Sequence, residues 1–246
     1  SLRIGVARDN GETHFSDARK HTLVAEAGGS AFKAMNDAGK ATWSVAQTFA
    51  LAPSEPIYGL GILQNGKMNQ RGESRQLRPG NTEDGIPFFQ SAKGYGIFWD
   101  NYSATTISDR DNRLTLSAEV GEAADYYFIY GASADGVIAG VRSLSGQVPM
   151  APMWTYGFHQ CRESYKSQEE LLKVLRQYRE DGVPVDCMIQ DWQYWGGNNL
   201  WNAMEFLAES FPNPKAMLDE VHKLNAKCMI SIWQSFGPDT KPYREL

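Results

Sequence analysis

The stretch from Val183 to Gly197 places a carboxylate at the end of a short apolar run and follows it at once with aromatic side chains. In an alternating strand Val185, Cys187, Ile189 and Asp191 share one face, so Asp191 closes an apolar row at the strand's C-terminal end. That end is where α/β enzymes hold their chemistry. Two readings of Asp191 are open. As the acid after a strand it caps a turn. Beside Trp192, Tyr194 and Trp195 it suits a sugar, whose hydroxyls donate to a carboxylate while its C–H faces lie on aromatic rings. Trp233 ends a later apolar segment and either lines the same pocket or fills core.

The elements that position these groups follow from periodicity. Up to about residue 148 the chain is strand and turn. Strands are expected at Leu2–Ala7, Thr42–Leu51, Tyr95–Asn101, Arg113–Val120 and Asp125–Tyr130, with a short helix over Asp135–Ser145. Short strands with no strong helix between them predict an antiparallel sandwich. The polar segment Gly66–Gly85 carries Arg71, Glu73, Arg75, Arg78, Asn81, Glu83 and Asp84. It reads as a long loop, either functional or simply solvated. Pro149 and Pro152 mark a change of pattern, which divides the chain into 1–148 and 149–246.

Beyond that break strands and helices alternate. Trp154–Gln160, Val185–Asp191 and Ala226–Trp233 are expected as strands, with Trp154, Tyr156 and Phe158 filling a core. Ser167 and Glu170 make a capping box for a helix that Gly182 ends, and Pro214–Asn225 reads as a second helix. Strand, helix, strand, helix, strand means βαβ units and a parallel sheet. No glycine-rich phosphate loop follows any of the three strands, which argues against a nucleotide-binding open sheet. An eight-stranded α/β barrel takes about 250 residues, so the stretch after the break holds only its beginning. The predicted architecture is therefore multidomain, β plus α/β: an N-terminal antiparallel β-sandwich followed by the first three βα units of a truncated (β/α)8 barrel.

Composition limits the function. The chain has 246 residues, a formal net charge of −5 and no run of Lys and Arg, so neither nucleic acid nor an anionic membrane is indicated as a partner. No apolar run reaches the length of a membrane helix, and no signal peptide precedes Leu2. Cys161, Cys187 and Cys228 lack paired spacing and read as small buried residues. His159 and His222 are isolated surface positions, not metal ligands.

With those residues in view, the chain resembles glycoside hydrolase family 31, the α-glucosidases and α-xylosidases. Phe49 to Leu51 followed by Glu55 to Gly61 resembles the family's N-terminal signature, and Asn81 to Asp84 resembles its loop reaching toward the active site. Gly94 to Phe98 and Asp125 to Gly131 fit the sandwich strands. Met150 to Arg162 with Tyr165 resembles the first barrel strand, and Phe211 to Met217 the segment before a barrel helix. Ala151 and Gln234 depart from the pattern, standing where relatives often have Pro.

The resemblance implies retaining hydrolysis of a terminal α-linked sugar by two carboxylates about 5 to 5.5 Å apart. It makes Asp191 a binder of sugar hydroxyls, with Trp192, Trp233, Asn81 and Asp84 as further substrate-binding residues. The wording from Asp191 to Trp195 favours α-xylosidase over α-glucosidase. Both catalytic acids are expected beyond Leu246, and Glu163, Glu205 and Asp239 are expected in solvated or capping roles. No cofactor or metal is implied. A periplasmic or secreted location is what similar sugar-scavenging enzymes suggest. The alternative is a noncatalytic carbohydrate-binding or interaction module. Three barrel strands alone leave an open edge and an uncovered apolar face, so the chain by itself is expected to self-associate or to be poorly stable.

Overall fold

A computed structural model describes residues 1–246. It divides into two compact units, Ser1–Val148 and Pro149–Leu246. The first unit is two facing antiparallel sheets. Strands β1 (Leu2–Val6), β2 (Thr13–Asp17), β3 (Thr22–Glu26), β4 (Ala31–Asp37) and β5 (Lys40–Ala50) open it, and β6 (Ile57–Ile62), β7 (Ser74–Leu77) and β8 (Asp84–Ser91) follow. Then come β9 (Tyr95–Trp99), β10 (Thr105–Arg110), β11 (Arg113–Gly121), β12 (Tyr126–Tyr130) and helix α1 (Ala134–Ser145). One sheet has eight strands, ordered β1-β2-β3-β5-β11-β10-β7 with β4 also on β5, and the other is β12-β9-β8-β6.

Alternation explains the packing. Val45, Gln47 and Phe49 of β5 and Leu114, Leu116 and Ala118 of β11 are buried at every second position. They meet Ile57, Leu60, Phe89, Ile97 and Trp99 from the second sheet in one core. Phe128 joins it, stacked on Phe15 at 3.9 Å between centroids. Gly96 lets α1 lie on the second sheet's outer side, because a Cβ there would meet the rings of Phe88 and the buried side chain of Val137 at 2.8 Å.

Gly66–Gly85 is not one solvated loop. It contains β7, and β8 begins at Asp84 within it. Arg71 ties the segment down, donating from Nε to the buried Asp109 at 2.6 Å and from Nη1 to the carbonyls of Ala52 and Glu55. Gly61 is required where β6 passes β8: its φ is +103°, and a Cβ would sit 1.8 Å from the Asp84 carbonyl oxygen. A register shift in β6 between Gly59 and Gly61 pairs Ile62 with Asp84, which fixes where β8 starts.

The second unit holds β13 (His159–Arg162), α2 (Gln168–Glu180), β14 (Cys187–Gln190), α3 (Pro214–Lys223), β15 (Lys227–Ile230) and the short α4 (Lys241–Glu245). The three strands are parallel, in sequence order. Leu171, Leu172 and Leu175 of α2 and Met217 and Val221 of α3 share one core with Met188 of β14. Consecutive strands with both helices on one face are the singly wound start of a barrel; an open doubly wound sheet would reverse direction.

Both helices end alike. Gly182, at φ +68°, and Asn225, at φ +53°, follow α2 and α3. Val183 N–H then donates to the Tyr178 carbonyl and Ala226 N–H to that of Val221, so each helix closes in a Schellman turn that launches the next strand. At the N-terminus of α2 the Ser167 hydroxyl accepts from Glu170 N–H at 3.2 Å. The Glu170 carboxylate takes Lys166 N–H instead of returning to Ser167, so only half of the expected box forms.

Four expectations are corrected. Trp154–Gln160 is not a strand: Met153–Tyr156 is a 310 turn set by Pro152, whose carbonyl accepts from Thr155, and β13 begins at His159. Tyr156 and Phe158 are consequently exposed, not core. Cys161 is exposed, although Cys187 is buried and Cys228 partly so. Val185 precedes β14 and packs with the helix-side core, and Trp233 lies beyond the end of β15.

Candidate functional site

Paired residues in a parallel sheet point the same way, so Cys161, Ile189 and Met229 lie on one face and Gln160, Met188 and Cys228 on the other. The second set faces α2 and α3. On the first face Asp191 comes directly after β14, half-exposed. Its Oδ1 accepts from Trp192 N–H at 2.8 Å, which fixes the carboxylate across its own turn. The turn-capping and ligand-binding readings are thus compatible, since a single oxygen serves the turn. Partial desolvation first, and then the Asp191 charge, push the Cys161 thiol up, so it stays protonated at neutral pH.

The wall beside Asp191 is a chain of indoles. Trp192 meets Trp201 edge-on at 6.0 Å, Trp201 meets Trp195 at 5.5 Å, and Trp233 lies against Trp201 at 5.0 Å. Tyr194 and Trp195 are buried beneath. Tyr194 OH donates to the Ser231 carbonyl at 3.2 Å, linking the ends of β14 and β15.

Trp233 is held by a residue that periodicity does not reveal. Asn202 is fully buried at φ +55°; its Oδ1 accepts from Trp233 N–H at 3.2 Å and its Nδ2 donates to the Trp233 carbonyl. Both amide functions of Asn202 therefore clamp one residue's main chain, leaving the Trp233 ring 40% exposed. The sequence signal was present in Trp201 and Asn202 following the Gly196–Gly197 pair, but an irregular segment has no period to read.

The structure gathers Trp192 and Trp233 around Trp201 in the second unit, with Asp191 adjoining Trp192 in the chain. Asn81 and Asp84 belong to the first unit, both exposed, at the Gly80–Glu83 turn and the start of β8. That turn is braced by Gly80 N–H on the Glu83 carbonyl at 2.7 Å and by Arg75 on the Glu83 carboxylate at 2.6 Å. Glu163, Glu205 and Asp239 are all exposed to solvent. No group of three or more His, Cys, Asp or Glu side chains is arranged to hold a metal ion.

Comparison with known proteins adds to this geometry. Residues 148–246 match the model of the glycosyl hydrolases family 31 TIM-barrel domain, and residues 1–107 that of the glycosyl hydrolase 31 N-terminal galactose mutarotase-like domain. An alpha-xylosidase of Saccharolobus solfataricus is 45% identical over 214 residues, covering 83% of this chain and 29% of that protein. Among solved structures, the GH31 alpha-xylosidase of Xanthomonas citri superposes with a TM-score of 0.90 at 23% identity, over 100% of this chain and 45% of that one. The GH31 dextranase of Flavobacterium johnsoniae, complexed with glucose, gives 0.79 at 27% identity, over 94% and 29%. The chain spans only 26% to 34% of the length of the first three curated relatives.

Proposed function

Because the chain belongs to glycoside hydrolase family 31, we propose that it is the N-terminal portion of a retaining α-glycoside hydrolase that releases a terminal α-linked sugar. α-Xylose is favoured over α-glucose, a preference supported by the 45% identity to an alpha-xylosidase. One observation carries the reading: a carboxylate at the C-terminal end of the central parallel strand, held by its own turn and walled by indoles. Asp191 accepts hydrogen bonds from sugar hydroxyls, and Trp192 and Trp233 offer apolar faces to the pyranose ring. Asn81 and Asp84, on the β domain, are kept on this reading as further substrate-binding residues. The attacking carboxylate and the acid/base come from later barrel strands, about 5 to 5.5 Å apart as retention requires.

Read this way, the unit 149–246 is the opening of the catalytic barrel and 1–148 its N-terminal companion domain. The face carrying Cys161 and Met229, both exposed, is the barrel interior awaiting the remaining strands. Lacking those strands, the chain pairs with itself through the open edges of β13 and β15. The test of the central reading is stereochemical. A form extended through the remaining strands, followed by proton NMR on an aryl α-xyloside, releases α-xylose before mutarotation. Initial release of β-xylose refutes the retaining assignment. Binding without any turnover favours the noncatalytic module.

A further inference from the structure

Gln190 closes β14 with a side chain that reaches no solvent. It shares parity with Met188, so it lies on the helix side of the sheet, opposite the face that carries Ile189. Its Nε2 donates to the Tyr165 carbonyl at 3.1 Å and to the Asp191 carbonyl at 3.2 Å. Only the NH2 end of an amide can serve two carbonyls, which fixes the orientation of the group. The Asp191 carbonyl and the Trp192 N–H belong to one planar peptide unit. Gln190 holds that unit by its oxygen, while its N–H donates to Asp191 Oδ1 at 2.8 Å. The carboxylate is therefore aimed by a peptide plane that the Gln190 amide anchors.

The turn that follows needs such an anchor. Gln193 sits in the left-handed region at φ +62°, a conformation that a residue with a Cβ keeps only where its surroundings over-determine it. The other end of the tie is itself held. Tyr165 is 2% exposed in the connection from β13 to α2. Its hydroxyl accepts from Gln160 Nε2 at 3.3 Å, and Gln160 Oε1 accepts from the Tyr178 hydroxyl of α2 at 2.6 Å. One buried amide thus joins the turn after β14 to the loop after β13 and, through Tyr165 and Gln160, to helix α2.

We propose that Gln190 is a positioning residue for the sugar-binding carboxylate: it does not touch substrate and acts by orienting Asp191. The proposal rests on the reading of Asp191 as a sugar binder, and a double-mutant cycle separates the two. The readout is steady-state kinetics of the extended form on an aryl α-xyloside. Gln190→Met keeps the length and loses both donors, and is expected to lower kcat/KM about tenfold to a hundredfold by letting the carboxylate shift. In an Asp191→Ala background the same change is expected to cost about twofold or less, because no carboxylate is left to orient. Gln190→Glu opposes the two carbonyls with a charge when ionised and donates to one of them when protonated, so its rate relative to the native protein rises as the pH falls toward about 5. Hydrogen exchange read by mass spectrometry quickens over Trp192–Trp195 in Gln190→Met and stays native over Leu171–Leu175. Equal losses from Gln190→Met with and without the Asp191 carboxylate, or a loss under about twofold where Asp191→Ala itself costs about tenfold, overturn the proposal. If Gln190→Met does not fold, the pH profile of Gln190→Glu decides, and a rate ratio flat with pH overturns it. An unchanged kcat/KM in Asp191→Ala overturns the sugar-binding reading of Asp191, and the positioning role falls with it.

Discussion

Glu55 is the buried charge whose removal tests the packing argument most sharply. The residue is 4% exposed. Its Oε1 accepts from the hydroxyls of Ser91 at 2.6 Å and Tyr95 at 2.5 Å, while Oε2 takes Ala52 N–H at 3.0 Å and the Lys93 ammonium at 2.9 Å. Burial alone pushes this carboxyl up, but the donors from Ser91, Tyr95, Lys93 and Ala52 outweigh it and hold the group below its ordinary range. Glu55→Gln keeps the shape and reverses part of the pattern, since an amide NH2 must face groups that are themselves donors. Removing one partner of a buried pair destabilises by about 3 to 5 kcal/mol. Lys93 is 34% exposed and also donates to the Leu23 carbonyl, so it finds partial relief and the expected loss is near 3 kcal/mol. Urea unfolding at pH 7, followed by near-UV signal from the β domain, measures it. A carboxyl with a lowered folded-state pKa contributes stability that is present above about pH 4.3 and lost as pH falls through the folded value, so the gap between wild type and Glu55→Gln narrows in acid. A loss under about 1 kcal/mol at pH 7, or a gap that widens in acid, refutes the reasoning.

Further outcomes follow from the same geometry. Asp191→Asn in the extended protein is expected to lower kcat/KM about 10- to 150-fold, the value of a charged hydrogen bond, with thermal stability unchanged; steady-state kinetics and a melting curve decide it. Asn202→Ala removes both clamps on the Trp233 main chain, so about 2 kcal/mol of stability is lost and KM rises while kcat holds, whereas Asn202→Asp keeps one clamp and restores part of both. Burial first, and then the neighbouring Glu55 and Glu26 carboxylates, raise the phenols of Tyr95 and Tyr126. The folded chain then holds protons that the unfolded chain releases, so stability is complete below about pH 10 and falls as pH rises above it; Tyr126→Phe flattens that decline in alkaline denaturation curves.

The sequence made some of this plain and hid the rest for physical reasons. Helix α2 was legible because Ser167 caps it and Gly182 ends it within one short window, and α3 was legible over Pro214–Asn225, although its Asn213 cap was not. The long strands β5 and β11 showed their alternation over many residues. Short strands did not: β7 is four residues of polar text, and β8 carries Pro87 within it, against the usual strand pattern. The aromatics from Trp154 to Phe158 looked like a strand because apolar parity cannot register the turn set by Pro152. Asp191 was visible as an acid after an apolar run. Trp201 and Asn202 were not, because their role depends on a contact made 31 residues away.

The measurement that bears most directly on the central claim compares two proteins, this chain and a form extended through the remaining barrel strands, on an aryl α-xyloside and an aryl α-glucoside. The account predicts that the chain alone turns over neither substrate and that the extended form cleaves both, the xyloside faster. Turnover by the 246-residue chain alone contradicts the placement of the catalytic carboxylates, and a faster rate on the glucoside contradicts the preferred sugar.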